Sequence, residues 1–356
     1  MPAMQHENPL VAGFDISVNG SPITVEAHAH VVAITVEDDA EWPSMFTVEL
    51  ATTIEQDDPL VWVDNDLFAI GGAVEIKLGY ADAPEPVFAG EITGLEPEFS
   101  LNRLPALIVR GYDRRHRLTR GRKTRSFVQQ KDSDIASQIA GEAGLSVSAT
   151  DSEVTHDYVL QANQSDMEFL QERARRIHYE VAIEDTTLHF RPVAFDQSES
   201  LTMSSEGDLL GFYPRLVSAF QLSEVAVRSW SPKDKKEIVG QARNGDEPST
   251  MGGNKSGPAT VEGAFGASAG LIGDRPVMSQ AEADQVAKAR YNNAALTFVH
   301  GEGVCYGRAD LRGGKVIKIE GVGQRFSGNY LVTSARHRYS PQRGYYTYFN
   351  VRRNAS

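Results

Sequence analysis

The stretch RFSGNYLVTSARHRYS, residues 325–340, sets Arg336 and Arg338 around His337, with serines and a threonine nearby. A histidine base beside hydroxyls and fixed cations is the material of a hydrolase site. His28 and His30, in EAHAHVV, are read as two apart on one strand face, an arrangement that could begin a metal site but lacks a third ligand. Glu37, Asp38 and Asp39 could pair as acid and base, although acidic runs are nearly always solvated turns. No H-E-x-x-H or G-x-x-x-x-G-K-[ST] string occurs, and the nine histidines are dispersed. The glycine-rich run GGNKSGPATVEGAFGASAG lacks the strand-to-helix register of a phosphate cradle. Cys305 is the single cysteine, so an intrachain disulfide and a thiolate cage are excluded, and burial as a small apolar residue is expected. The chain reads as a non-enzyme that calls for no cofactor and no metal.

Charge is distributed unevenly along the 356 residues, whose net charge is −13. Residues 1–100 hold nineteen acidic side chains and one basic one, Lys77. Residues 101–125 hold nine Lys and Arg against Asp113, and residues 321–356 hold six arginines and no acid. Such asymmetry favours docking of copies head to tail, because opposite potentials steer the contact. No apolar run approaches the roughly 18 residues of a membrane helix, and MPAMQHENPLVAGFD lacks the basic and apolar regions of a secretory signal.

Period-2 patterns dominate the first hundred residues. FDISVNGSPI turns at Asn19-Gly20, the pair suited to a two-residue hairpin, and HVVAITVEDD, MFTVELATT, AVEIKLGY, VFAGEITGLEPEF and ALIVRGYDR continue the alternation. Helical patterns follow at KDSDIASQIAGEAGL, with Asp132 as cap and Gly144 as stop, and at SDMEFLQERARRIHYE, capped by Ser165 or Asp166. Strands resume at RLVSAFQLSEVAVRSWSP. Residues 240–277 read as a long flexible loop, and SQAEADQVAKARYNNAALTF as a helix in which Ser279 and Glu282 form a capping box.

A repeat links the two β regions. GGAVEIKLGY, from Gly71, runs into VFAGEITG, and GGKVIKIEGV, from Gly313, runs into RFSGNYLVTS. Phe88 and Gly90 are matched to Phe326 and Gly328 as corner residues, with the glycines allowing close approach of strands. The expected organisation is a first β-barrel at 1–118, an α+β module at 119–198 and a second β-barrel at 199–356, with the flexible insertion at about 240–277. The fold class is thus mainly β with an α+β insert.

The chain resembles the late control gene D proteins of contractile phage tails and the N-terminal hub part of VgrG spike proteins. The likeness rests on VRGYDRRHRLTRGRKTRSFVQQKDSDIASQIAGEAGL, QSDMEFLQERARRIHYEVAIEDTTLHFRP, VRSWSPKDKKEIVGQA and GVGQRFSGNYLVTSARHRYSPQRGYYTYFNVRR. The resemblance implies two tube-protein-like barrels per chain, a pseudo-hexameric homotrimer, and a baseplate hub adapting a sixfold inner tube to a threefold spike. Its implied partners are the inner tube ring, a separate spike protein and other baseplate proteins, with no membrane. Assembly would take place in the cytoplasm, in a phage tail or injection particle. Arg110, Arg114, Arg115, Arg117, Arg120, Arg122, Arg336, Arg338, Arg352 and Arg353 are the candidate assembly contacts. The alternative is a nucleic-acid-binding adaptor using residues 110–125, whose arginines interleave with Tyr112 and His116.

Overall fold

The computed structural model describes residues 11–51, 60–81, 83–101, 104–195, 197–273 and 276–356; the remainder, including most of the N-terminal stretch read above, lies outside the described residues. The first region contains β1 (Ala12–Val18), β2 (Ser21–Pro22), α1 (Val25–His30), β3 (Val31–Asp39), β4 (Met45–Ala51), β5 (Ala73–Tyr80), β6 (Ala83–Glu98) and β7 (Ala106–Tyr112). The β1–β2 hairpin turns through Asn19 and Gly20, both at positive φ, as a tight primed turn requires. Alternating residues of these strands, among them Ile16, Ile34, Phe46, Ile76 and Val109, meet in one apolar core. His28 and His30 belong to the short helix α1, not to a strand, because Thr24 caps a helical turn there. The His28 ring stacks on Phe14 at 4.1 Å, and His30 accepts a 3.0 Å hydrogen bond from Trp62 Nε1.

The second region contains β8 (Lys123–Lys131), α2 (Asp132–Glu142), β9 (Ser146–Ala149), β10 (Thr155–Gln164), α3 (Asp166–Arg176), β11 (Tyr179–Glu184) and β12 (Thr187–Pro192). Ile135, Ile139, Phe169 and Leu170 present the inward stripes of the two helices to a core shared with Leu188 and Phe190. Ser165 caps α3 in a full capping box with Glu168. Asp132, expected as the cap of α2, is its first helical residue. Lys131 holds the cap position, its amide donating to Asp134, and the Asp132 carboxylate is left for another task.

The third region contains β13 (Leu201–Ser204), β14 (Leu209–Leu216), β15 (Glu224–Ser231), β16 (Lys236–Arg243), α4 (Gly257–Phe265), β17 (Ala269–Ile272), α5 (Gln280–Ala295), β18 (Val299–Tyr306), β19 (Val316–Glu320), β20 (Gly328–Ser340) and β21 (Gly344–Arg353). The glycine- and serine-rich stretch expected as a long flexible loop instead carries α4 and β17. Ser256 caps α4 and Pro258 opens it, so local capping chemistry offsets a composition poor in core residues. β15, β16 and β17 form a separate small sheet covered by α5, with Val225, Val227, Ala283 and Tyr291 between them. Glu282 donates its amide to Ser279 Oγ, but its carboxylate accepts from Met278 rather than from the cap residue.

Pairing reveals the repeat directly. In the first region the strands hydrogen-bond in the order β1-β5-β6-β7-β4-β3, and in the third in the order β13-β19-β20-β21-β18-β14. Every corresponding pair is antiparallel except β13 with β19, which is parallel where β1 with β5 is not. The register is fixed by matching bonds: Gly71 N to Ile92 O and Gly314 N to Val332 O are both 2.8 Å, and the return bonds Ile92 N to Gly72 O and Val332 N to Lys315 O are both 2.9 Å. Gly71 and Gly314 both take positive φ there. Immediately afterwards β6 and β20 carry the same irregularity, with Thr93 and Thr333 each left out of the ladder to β7 and β21. This corrects the matching read from sequence. Gly90 corresponds to Tyr330 and Phe88 to Gly328, two residues away from the Phe-x-Gly alignment, because hydrogen-bond register rather than residue type sets the correspondence.

The two ladders join within the chain. The start of β20 pairs β19, whereas residues 334–339 pair β3, with Arg336 opposite Glu37 and His337 opposite Val36. The bulge at Thr333 shifts the alternation, so Ala335, His337 and Tyr339 continue the inward face of Tyr330 and Val332 in place of Ser334.

At Gly90, a methyl group would run into the Tyr112 carbonyl oxygen and the Phe88 ring. Gly90→Ala is therefore expected to cost about 1–3 kcal/mol in denaturant unfolding, whereas Gly141→Ala, where added carbon meets open space in a helix, should be neutral or stabilising.

Candidate assembly surface

The basic stretch leaves β7 through a short 3-10 turn, Arg114–Thr119, capped by Asp113. Arg115 is 3 % exposed; its guanidinium bonds Asp113, Ser44 Oγ at 2.9 Å and the Asp39 carbonyl at 3.0 Å. It ties β3, β4 and the turn into one block and reaches towards Val181 of the α+β module. Arg114 pairs with Asp185 at 2.5 Å, and Arg117 and His116 both bond Glu91. Burial alone would raise the Glu91 pKa, but these two donors hold it below the usual carboxylate range. Arg122 pairs with Glu168, and Lys123 and Arg125 share Asp166. Arg110 pairs with Glu96 at 3.1 Å. Most of this positive charge is neutralised inside the chain.

Two further ionic groups fasten the regions together. Asp38 on β3 accepts from Arg312 Nε at 2.7 Å and the Gly313 amide at 3.0 Å, binding the first ladder to the loop before β19. Burial pushes its pKa up, and Arg312, Ser44 and Gly313 together more than reverse that push. Asp132, whose burial acts in the same direction, is held low by His156 and Arg173. Arg176 and His156 then reach Glu282 at 2.9 and 3.7 Å, which anchors α5 to α3.

The C-terminal arginines divide. Arg353 is fully buried: its guanidinium lies over the Tyr330 ring at 5.5 Å and bonds the Ser327 carbonyl at 2.9 Å. Arg115 and Arg353 are thus struts of their own chain and cannot be offered to a neighbour, since each would leave its buried partners behind. Arg336 pairs with Glu37 at 2.9 Å across the ladder junction. Arg120, Arg338 and Arg352 stand exposed on the surface.

None of the chemical constellations assembles. His337 is buried between Tyr345, whose hydroxyl lies 2.8 Å from Nδ1, and Thr347 at 3.2 Å. Burial, aided by Arg312, pushes its pKa down to about 4. A G-x-S-x-G string occurs at Gly266–Gly270, but Ser268 sits between a helix and a strand, and its amide donates to Ser223 Oγ. A nucleophile elbow runs from strand to helix. Cys305 is buried, and burial raises its thiol to about 12, far from a reactive thiolate. Among the described residues no cluster of three His, Cys, Asp or Glu could hold a metal ion, and no helix is long and apolar enough to cross a membrane.

Sequence reasoning missed the exposed apolar side chains. Phe99 (64 %) and Leu101 extend beyond β6, and Tyr213 (64 %) and Phe220 (83 %) flank the end of β14. Only Tyr213 carries a sequence signal, an aromatic on the polar phase of a strand.

Comparison with known proteins places this architecture. The family model described as the Alg8 N-terminal domain matches residues 8–341, and the chain belongs to that family. No curated protein matches it. In three dimensions it is similar to the 43 kDa tail protein of prophage MuSo2 from Shewanella oneidensis, with TM-score 0.71 at 12% identity, covering 96% of this chain and 98% of that one. It is also similar to the tail protein of Neisseria meningitidis MC58, with TM-score 0.66 at 13% identity and 96% of each chain covered. A third likeness is to the E. coli c3393 protein, a type VI secretion system component, with TM-score 0.62 at 14% identity, covering 96% of this chain and 77% of that one. The fold is that of phage tail and type VI secretion proteins.

Two outcomes follow from the buried groups. Arg115→Ala should cost about 3–5 kcal/mol by stranding Asp113, against under about 0.5 kcal/mol for Arg338→Ala, measured by guanidinium unfolding. His337 keeps its neutral form down to about pH 4, whereas a free imidazole titrates near 6.5. The folded chain therefore binds fewer protons between those values, and the stability contributed by His337 is full above about 6.5 and lost as pH falls through the window. Unfolding free energy should drop by about 2 kcal/mol from this residue between pH 7 and pH 5, a drop that His337→Gln should remove.

Proposed function

We propose that this chain is a structural baseplate hub of a contractile phage tail or phage-derived injection system, a homotrimer that adapts a sixfold inner tube to a threefold spike. The observation that carries the reading is the repeated six-strand ladder, joined to its copy by β3 and β20. Each ladder would curl into a tube-like barrel at 1–118 and 199–356, with the α+β module of 119–198 buttressing the junction through Arg115 and Arg114. Two equivalent barrels per chain allow three chains to offer six equivalent positions to a sixfold ring. The likeness to two phage tail proteins and a type VI secretion component supports the same role.

The inner tube ring, a separate spike protein and other baseplate proteins are the partners this reading requires, with assembly in the cytoplasm before incorporation into the particle. Arg120, Arg338 and Arg352 are exposed and, among the described residues, outside the chain's own ion pairs, which makes them the cations of the set read from sequence most available to these partners.

Light scattering on the purified full chain should return three times the 39.0 kDa chain mass, and negative-stain images should show a ring of six lobes around a channel. A monomer at every concentration would defeat the hub reading.

A further inference from the structure

The repeat predicts more than its own existence, because among the described residues two strand edges of the doubled ladder, β14 and the distal half of β6, pair on one side only. Within the chain the β3 edge of the first ladder docks on residues 334–339 of β20 in the second. By the register above, the counterpart of β3 is β14, and the counterpart of that part of β20 is residues 94–99. Among the described residues β14 pairs only β18, and β6 beyond Glu91 pairs only β7, so both counterpart edges are open. The geometry points to a second copy of this chain as the occupant: β14 of one copy adds antiparallel to the distal half of β6 in the next, reproducing between chains the β3–β20 junction seen within one. This rests on the hub reading and specifies how its copies meet.

Three features of the structure select this occupant and this register. The first is charge. Arg336 faces Glu37 in the internal junction, paired at 2.9 Å. Carrying the register across, Arg336 corresponds to Glu96 and Glu37 to Arg215, so the intermolecular pair is Glu96 against Arg215, the same bridge with its signs exchanged. Both side chains are exposed; within the chain Glu96 is bridged to Arg110 at 3.1 Å and Arg215 lies 4.0 Å from Glu302, so the contact between copies would extend these pairs.

The second is apolar surface. Tyr339, 8 % exposed, packs opposite Ile34 in the internal junction. Their counterparts are Phe99, 64 % exposed, and Phe212, so the missing strand is what would cover Phe99.

The third is proline. Ala40 N donates to Thr333 O at 3.0 Å, which makes Val36 and His337 a hydrogen-bonded pair in the internal junction. Their counterparts are Pro214 and Pro97. Each ring nitrogen thus lies on the open edge, where a proline removes no bond from its own ladder and blunts indiscriminate strand addition. With two donors absent, side-chain complementarity between Glu96 and Arg215 must select the register. The contact is head to tail, one β14 edge and one β6 edge per chain, and such an interface closes into a ring when the rotation from copy to copy completes a full turn.

The test is a charge exchange with a disulfide readout. Glu96→Arg and Arg215→Glu should each weaken self-association of the full chain at least about fivefold, and the double variant should recover it, as read by sedimentation. Opposed residues at a non-hydrogen-bonded position lie about 4.5 Å apart, within disulfide range. Chains carrying Glu96→Cys mixed with chains carrying Arg215→Cys should therefore form a covalent dimer on mild oxidation, while neither does so alone; Cys305 is buried and gives no background. A wild-type trimer that gives no mixed disulfide and ignores the charge exchange overturns this interface and leaves the hub reading standing. A wild-type chain that stays monomeric overturns both.

Discussion

Strand β20 is asked to do two things at once, and the rest of the molecule is arranged around that demand. Its first residues complete the second ladder against β19, and its last residues belong equally to β21 and to β3 of the first ladder. A regular strand could not put Tyr330 and Val332 into one core and His337 and Tyr339 towards another with the edge still aligned. The unpaired Thr333 shifts the alternation by one residue and makes the double membership possible. Because the same bulge recurs at Thr93, it belongs to the repeat unit and not to the junction alone.

Around this shared strand the chain places buried charge where a purely apolar seam would slide. Asp38 with Arg312, and Asp113 with Arg115, fix the corner between β3, β4 and the loop before β19. Asp132 with Arg173 and His156, continuing to Glu282, does the same between α2, α3 and α5. Buried ion pairs add little net stability over apolar packing, but losing one member is costly because the other is left desolvated. Their effect here is to specify one relative placement of the hydrophobic cores described above. The same arrangement leaves most cations of residues 110–125 facing carboxylates of their own chain.

The strand alternations, the Asn19-Gly20 turn, a cap at Ser165 or Asp166 and the helix opened by Ser279 were all legible in the sequence. Each depends on residues within a few positions of one another, so local physics suffices. The existence of a repeat was legible too, since glycines needed for positive φ and apolar alternation leave a residue-type trace. Its register was not. Phe-x-Gly strings aligned two residues away from the hydrogen-bond correspondence, because the trace records which residue types fit a corner and not which carbonyl accepts which amide.

Composition and local pattern by themselves determined that this is a β-rich chain with an α+β insert, an acidic first part and arginine-rich strand ends. Only the tertiary structure decided which arginines are free. Arg115 and Arg353 read as surface cations in sequence and are buried struts in the fold, while Arg215, not singled out in sequence, lies on β14, which pairs only β18 among the described residues. The reason is that exposure of a long charged side chain is set by what the rest of the chain brings within about 4 Å of it. Those partners, from Asp113 two residues away to Asp38 facing Arg312 across most of the sequence, are chosen by topology.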